Sequence, residues 1–246
     1  MGQSPGVASG CVSPGRGLRA LSSLSVLDAT ESVAGQYCAR LLADFGAAVT
    51  LVEPPGGSAL RTMPPFDPAL GSVAFFHLNL GKTSITLDLA TAAGMEEFLH
   101  HAVTADVVLL GPGADYARVR KNNPLAVIGT ISGFGEDGPY RHWKGGEMIY
   151  QALSGMMNNN GLSGQKPLFG CGNRASYAAG VGAYISTMAA LVAREQLGLG
   201  QDFSHDVAEN TSAMAYPIAV QFFYNGSSEV RGGRHVPLGK VTCRDN

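Results

Sequence analysis

The sequence has little charge, no excess of either sign, no paired cysteines and no long apolar run, and each shortage removes a class of protein. Only 15% of its 246 residues are charged, 17 basic against 19 acidic, for a formal net charge of -2. A surface for nucleic acid or anionic membrane normally shows as a basic stripe. None is present, so any anionic ligand must be held locally. The four cysteines, Cys11, Cys38, Cys171 and Cys243, are far apart and form no C-x-x-C pair. That pattern argues against a zinc site or a disulfide framework, and reduced thiols suit a cytoplasmic location. No apolar run reaches the ~18 residues that span a bilayer. The opening MGQSPGVASGCVSPGRG places Gly, Ser and Pro where a signal peptide needs continuous apolar residues. Residues 1–19 are expected to be a flexible leader.

Familiar catalytic motifs are also missing. Gly81-Lys82-Thr83-Ser84 suggests a phosphate loop, but Phe76 stands where the first glycine is required and a strand pattern follows. Gly133-Phe134-Gly135 runs on into Glu136, Asp137 and Gly138, a rigid turn without the dinucleotide-binding spacing. His100 and His101 are adjacent, so a helix points them about 100° apart and they cannot share a metal. Cys38 in an apolar helix and Cys171 beside glycines read as small buried residues. Ser176 has no G-x-S-x-G elbow around it; before an apolar periodic run it reads as a helix N-cap.

What is present is a well-cored α/β pattern, with 45% hydrophobic residues. Ser25 to Ala29 reads as a strand, and Val33 to Phe45 as a helix with Val33, Tyr37, Leu41, Leu42 and Phe45 on its apolar face. After Gly46, Ala48 to Val52 reads as a second strand that ends at the breakers Pro54 to Gly57. Thr83 to Leu89, Asp106 to Leu110 and Ala126 to Ser132 continue as strands, with helices over Thr91 to Ala102 and near Ala114 to Lys121. Strands alternating with helices predict a parallel sheet covered on both faces. Beyond Gly145 the segments Glu147 to Met157, Ser176 to Glu195 and Asp206 to Tyr224 read as helices without strand character. Gly180 and Gly182 inside the second imply close approach of another backbone. Arg231 to Gly239 reads as a loop, and Lys240 to Cys243 as a strand with no partner after it.

Four blocks in order, LLADFGAAVTLVEPPGG (Leu41–Gly57), LNLGKTSITLDL (Leu78–Leu89), ISGFGEDGPY (Ile131–Tyr140) and GGEMIYQALSGM (Gly145–Met156), carry a specific similarity. Together they resemble the class III coenzyme A transferases, the CaiB/BaiF family, from about Leu24 to Asn246. The stretch Gly198 to Asn210 is similar to the family's GRGQxVDVSLLDS. The resemblance implies a Rossmann-like large domain over residues 20–246, with the family's small domain missing at the C-terminal end. It implies acyl-CoA and a carboxylic acid as substrates, no permanently bound cofactor and no metal. It further implies an interlocked homodimer or heterodimer.

Typical members attack an acyl-CoA thioester with an aspartate that aligns with Ser176, forming a mixed anhydride before CoA is passed to a second acid. A serine needs a base to become nucleophilic, and its ester is less activated than the thioester it came from. Racemases of the superfamily use a histidine, aligned with Gly146, together with that aspartate. Glu147 matches an acidic position of several members and is a candidate for orienting a loop or acyl group. Gln36, Leu78, Lys82 and Arg118 are the resemblance's candidates for CoA binding, Lys82 near the phosphates. The family's ENFxPG becomes Leu109-Leu110-Gly111-Pro112-Gly113, and Pro54 stands where some members have a nucleotide-contacting arginine. A non-catalytic acyl-CoA-binding or scaffolding half that pairs with an active paralogue is the alternative expectation.

Overall fold

Strands that are apolar on both faces must be covered on both sides, and the fold follows from that demand. The computed structural model describes residues 19–162 and 164–227. The leader up to residue 18, the loop at Arg231 to Gly239 and the strand at Lys240 to Cys243 lie outside the described residues. The first unit is strand β1 (Ser25–Ala29), helix α1 (Val33–Asp44) and strand β2 (Ala48–Glu53). A short hairpin, β3 (Phe66–Asp67) and β4 (Gly71–Ser72), leads into α2 (Val73–Asn79) and then β5 (Thr83–Thr86). Helix α3 (Ala92–Val103), β6 (Val107–Leu110), α4 (Tyr116–Asn122) and β7 (Val127–Ser132) continue the alternation. Then come α5 (Glu147–Leu153), the long α6 (Arg174–Leu197), β8 (Asp202–Asp206), α7 (Val207–Met214) and α8 (Tyr216–Asn225).

Six strands form one parallel sheet in the order β5-β2-β1-β6-β7-β8. Chain order runs outward from β1 on one side and from β6 on the other. The carboxyl ends of β1 and β6 therefore bound the crevice where the winding reverses, the place where open α/β sheets take ligands. Alternate strand residues feed two cores. Val26, Val107, Leu109 and Val127 pack with Ala34, Cys38 and Leu42 of α1 and with Ala179 and Ala183 of α6. Leu27, Val108, Leu110 and Ile128 pack with Phe98 and Ala102 of α3 and Val119 of α4. The predicted α/β fold with helices on both faces is what forms.

Helices α1 and α6 approach closely because Gly180 has no side chain; a Cβ there would stand 2.8 Å from the Ala34 carbonyl and 3.0 Å from the Tyr37 ring. Helix α6 has 24 residues and a segment of mean hydropathy 1.3, enough by length and composition to cross a membrane. Its buried residues, among them Ala175, Ala179, Ala183 and Leu191, belong to the core shared with α1.

Several expectations need correction. The buried face of α1 is made by Ala34, Cys38, Ala39 and Leu42, whereas Phe45 is 48% exposed and Tyr37 and Leu41 are half-buried. Small residues, rather than the large ones, face α6 because the helices pack so closely. The region after Gly145 is not wholly helical: Asp202 to Asp206 pairs with β7 as an edge strand. Its sequence DFSHD alternates polar and apolar weakly, since an edge strand needs little apolar surface. The helix expected over Asp206 to Tyr224 breaks at Ala215, where Pro217 supplies no N–H to continue the ladder. Helix α2, among the residues just before Gly81, carried no recognisable period over its 7 residues.

Candidate active site

The sequence pattern at 145–156 begins a helix without a side-chain cap, and the segment before 174 begins another without one. One carboxylate serves the second start. Glu147, in the first turn of α5, accepts the backbone N–H of Ala175 at 2.5 Å and of Ser176 at 3.1 Å. These donors are unpaired at any helix start, and the positive end of the helix dipole favours a negative group there. Ser176 is therefore not the N-cap expected from its sequence; Asn173 holds that position, and Ser176 lies three residues into α6. Its Oγ donates to Glu147 Oε2 at 2.8 Å. Among the described residues, nothing donates to Ser176 Oγ.

The second oxygen of Glu147 is held as well. Gln151, one turn along α5 and fully buried, donates from Nε2 to Glu147 Oε1 at 2.8 Å and to the Gly170 carbonyl at 3.1 Å. Its own Oε1 accepts the Gly170 N–H at 3.0 Å, tying the loop before α6 to α5. The adjacent Tyr150 hydroxyl has its pKa raised, by burial first and then by the charges of Glu147 and Asp206. The i, i+4 spacing of Glu147 and Gln151 was the available signal for this support, and the sequence reading missed it.

The other candidate residues divide sharply. Lys82 Nζ donates to Asp28 Oδ2 at 2.9 Å and to the Gln36 carbonyl at 2.8 Å, with side-chain exposure of 1% and 0% for Lys82 and Asp28. The Lys82 charge, expected near phosphates, is enclosed inside the fold. Gln36 is fully buried, donating to the Thr30 carbonyl at 3.2 Å and Ser58 Oγ at 3.1 Å while accepting from Asn79 at 2.7 Å. Leu78 is fully buried. The side chains of these three residues are enclosed in the fold.

Arg118 is exposed in α4, between Asp115 and Val119. Those two line a cavity of about 690 Å³ at the β1–β6 crevice, whose other walls include Ala29, Ser32, Leu110, Pro112 and Phe98. The loop Gly111-Pro112-Gly113 after β6 forms its rim. The charged groups of the lining are both acidic, Glu31 and Asp115, and Arg118 is not among the lining residues. Among the described residues no cluster of His, Cys, Asp and Glu could hold a metal.

The family model for CoA-transferase family III matches residues 21–246. The chain belongs to CoA-transferase family III. Among its relatives, the succinyl-CoA:mesaconate CoA-transferase of Haloarcula hispanica is 34% identical over 236 residues, which cover 89% of this chain and 59% of that protein. The formyl-CoA:oxalate CoA-transferase of Streptomyces avermitilis is 36% identical over 191 residues, covering 74% of this chain and 46% of the relative. A CaiB/BaiF family protein from Brucella suis superposes with a TM-score of 0.82 at 29% identity, over 87% of this chain and 60% of that one. The chain thus spans less than two thirds of the length of these family members. The Rossmann-like sheet expected from the sequence matches the fold of that CaiB/BaiF family protein over 60% of its length.

Proposed function

We propose that this chain is the acyl-CoA-binding large domain of a family III protein in which the aspartyl exchange reaction no longer runs through position 176. The observation that carries the reading is the Ser176–Glu147 hydrogen bond of 2.8 Å at the start of α6. A hydroxyl at the aspartate's aligned place cannot form the mixed anhydride on which return of the acyl group to CoA depends. The cavity beside Gly111 to Gly113 supports binding of an acyl-CoA nucleotide portion at the sheet's switch point, with Arg118, exposed on the helix that carries Val119 of the lining, as the proposed cation for its phosphates. Coenzyme A enters as substrate, with a carboxylic acid as partner in the relatives' type of reaction.

A second reading has the chain as a non-catalytic half that pairs with an active paralogue or fused domain. The loss of the aspartate favours it too, because such a half needs only the binding surface. The assembly proposed in either case is a dimer, with a second copy or with the paralogue, in the cytoplasm. Titration of the full chain with CoA by calorimetry is the test. Binding that weakens in Arg118→Ala fits the proposal, and a folded chain that takes up no CoA removes both versions.

A further inference from the structure

Ser176 and Glu147 have a geometry that goes beyond loss of an aspartate. The Ser176 hydroxyl donates to Glu147 Oε2, with 2.8 Å between the oxygens. Glu147 also accepts from Ala175 N, Ser176 N and Gln151 Nε2. A carboxylate offers about four lone-pair sites, and four donors occupy them. Glu147 has no free face with which to attack a carbonyl, so it does not replace the missing aspartate as nucleophile. It can still receive a proton along the bond it makes to Ser176. The serine oxygen is the reverse case: its proton is engaged, while its lone pairs face no donor among the described residues. The residue is half-buried rather than enclosed.

We propose that Ser176 is the nucleophile and Glu147 the general base of an acyl-CoA hydrolase, a reading that rests on acyl-CoA binding as set out above. In the first step Ser176 Oγ bonds to the thioester carbonyl carbon as its proton passes to Glu147. The carbon–sulfur bond breaks, and CoA leaves as a thiol with the proton from Glu147. In the second step Glu147 takes a proton from water, whose oxygen bonds to the same carbon. The ester bond to Ser176 breaks, Oγ recovers that proton, and the acid is released. The sum is thioester plus water giving acid plus CoA thiol, with no oxidant or further reactant. Serine commits the acyl group to this course because an oxygen ester is less activated than a thioester, so return to CoA is uphill. The base is a carboxylate with no imidazole between it and the hydroxyl, so turnover is slow.

The test uses the full chain with acetyl-CoA and succinyl-CoA, in the absence of any acid acceptor. Free CoA thiol is measured, acylated peptides are sought after rapid quenching, and calorimetry with CoA is run on every variant. The expected result is thiol release by the wild type, acyl groups on Ser176, and loss of about a hundredfold in Glu147→Gln with CoA binding retained. Ser176→Ala should abolish release, and Ser176→Cys should carry the acyl group on the new thiol. CoA binding without thiol release above Ser176→Ala overturns this inference and leaves the binding proposal standing. Release without an acyl group on Ser176 overturns the nucleophile assignment. A folded chain that does not bind CoA overturns both.

Discussion

Ser176 Oγ donates to Glu147 Oε2 at 2.8 Å, and the same carboxylate accepts the backbone N–H groups of Ala175 and Ser176. One side chain of α5 therefore caps α6 and holds the Ser176 hydroxyl. Glu147→Ala should lower stability by about 1–3 kcal/mol, because it leaves helix-start donors unpaired. Glu147→Gln, which can still accept, should lose less than Glu147→Ala. Urea unfolding of the two variants checks the order.

The Lys82–Asp28 pair leads to a second expectation. Both side chains are enclosed, and Asp28 also accepts from Thr30 N at 3.1 Å and Thr30 Oγ1 at 2.7 Å. Lys82→Met strands a charge in the interior and should cost about 3–5 kcal/mol. The Lys82→Met, Asp28→Leu double variant should recover part of that loss. A melting temperature for the double variant below that of Lys82→Met would contradict the pairing.

Acid unfolding should report on Glu53. The Arg61 guanidinium first, then Ser84 and Ser58, favour its charged form over the opposing effect of burial, and its pKa falls from 4.5 to about 2. Arg61 Nε and Nη2 lie 2.6 and 2.7 Å from the carboxylate, and the guanidinium carbon sits 4.1 Å from the Phe75 ring centre. With the folded pKa depressed, the stabilisation is present above the unfolded value and is lost as pH falls from about 5 to about 2. Arg61→Met should flatten that part of the stability curve, followed by denaturant melts at successive pH values.

Helix contact can be tested at one atom's cost. Gly180→Ala sets a Cβ 2.8 Å from the Ala34 carbonyl and should destabilise by about 1–3 kcal/mol through separation of α1 and α6. Gly146→Ala has nothing within 4 Å of its added Cβ and an extended φ of -161°, so it should be nearly neutral. Thermal melts of the pair separate steric contact from a general effect of glycine replacement.

These predictions also mark what the sequence could reveal. Strands such as Val107 to Leu110 were legible because a parallel strand buried on both faces is apolar at every position. Strand β8 was hidden because DFSHD lies at the sheet's edge. Gln36, Leu78 and Lys82 were candidates for CoA binding through the family resemblance; the burial of their side chains is not encoded in spacing. Glu147 and Ser176 were each singled out, yet their contact spans 29 positions and is set by the packing of α5 on α6. Periodicity describes the faces of single helices and cannot report such a meeting.

The most direct measurement of the central claim is exchange of labelled succinate into succinyl-CoA by Ser176→Asp beside the wild type. The added carboxylate lies close to Glu147 and costs some stability through like-charge repulsion, so folding and CoA binding are measured in the same samples. An acyl-CoA site that still binds CoA but has lost its carboxylate nucleophile predicts exchange in Ser176→Asp and none in the wild type. A folded, CoA-binding Ser176→Asp protein with no exchange, or a wild type that exchanges without it, would contradict the account.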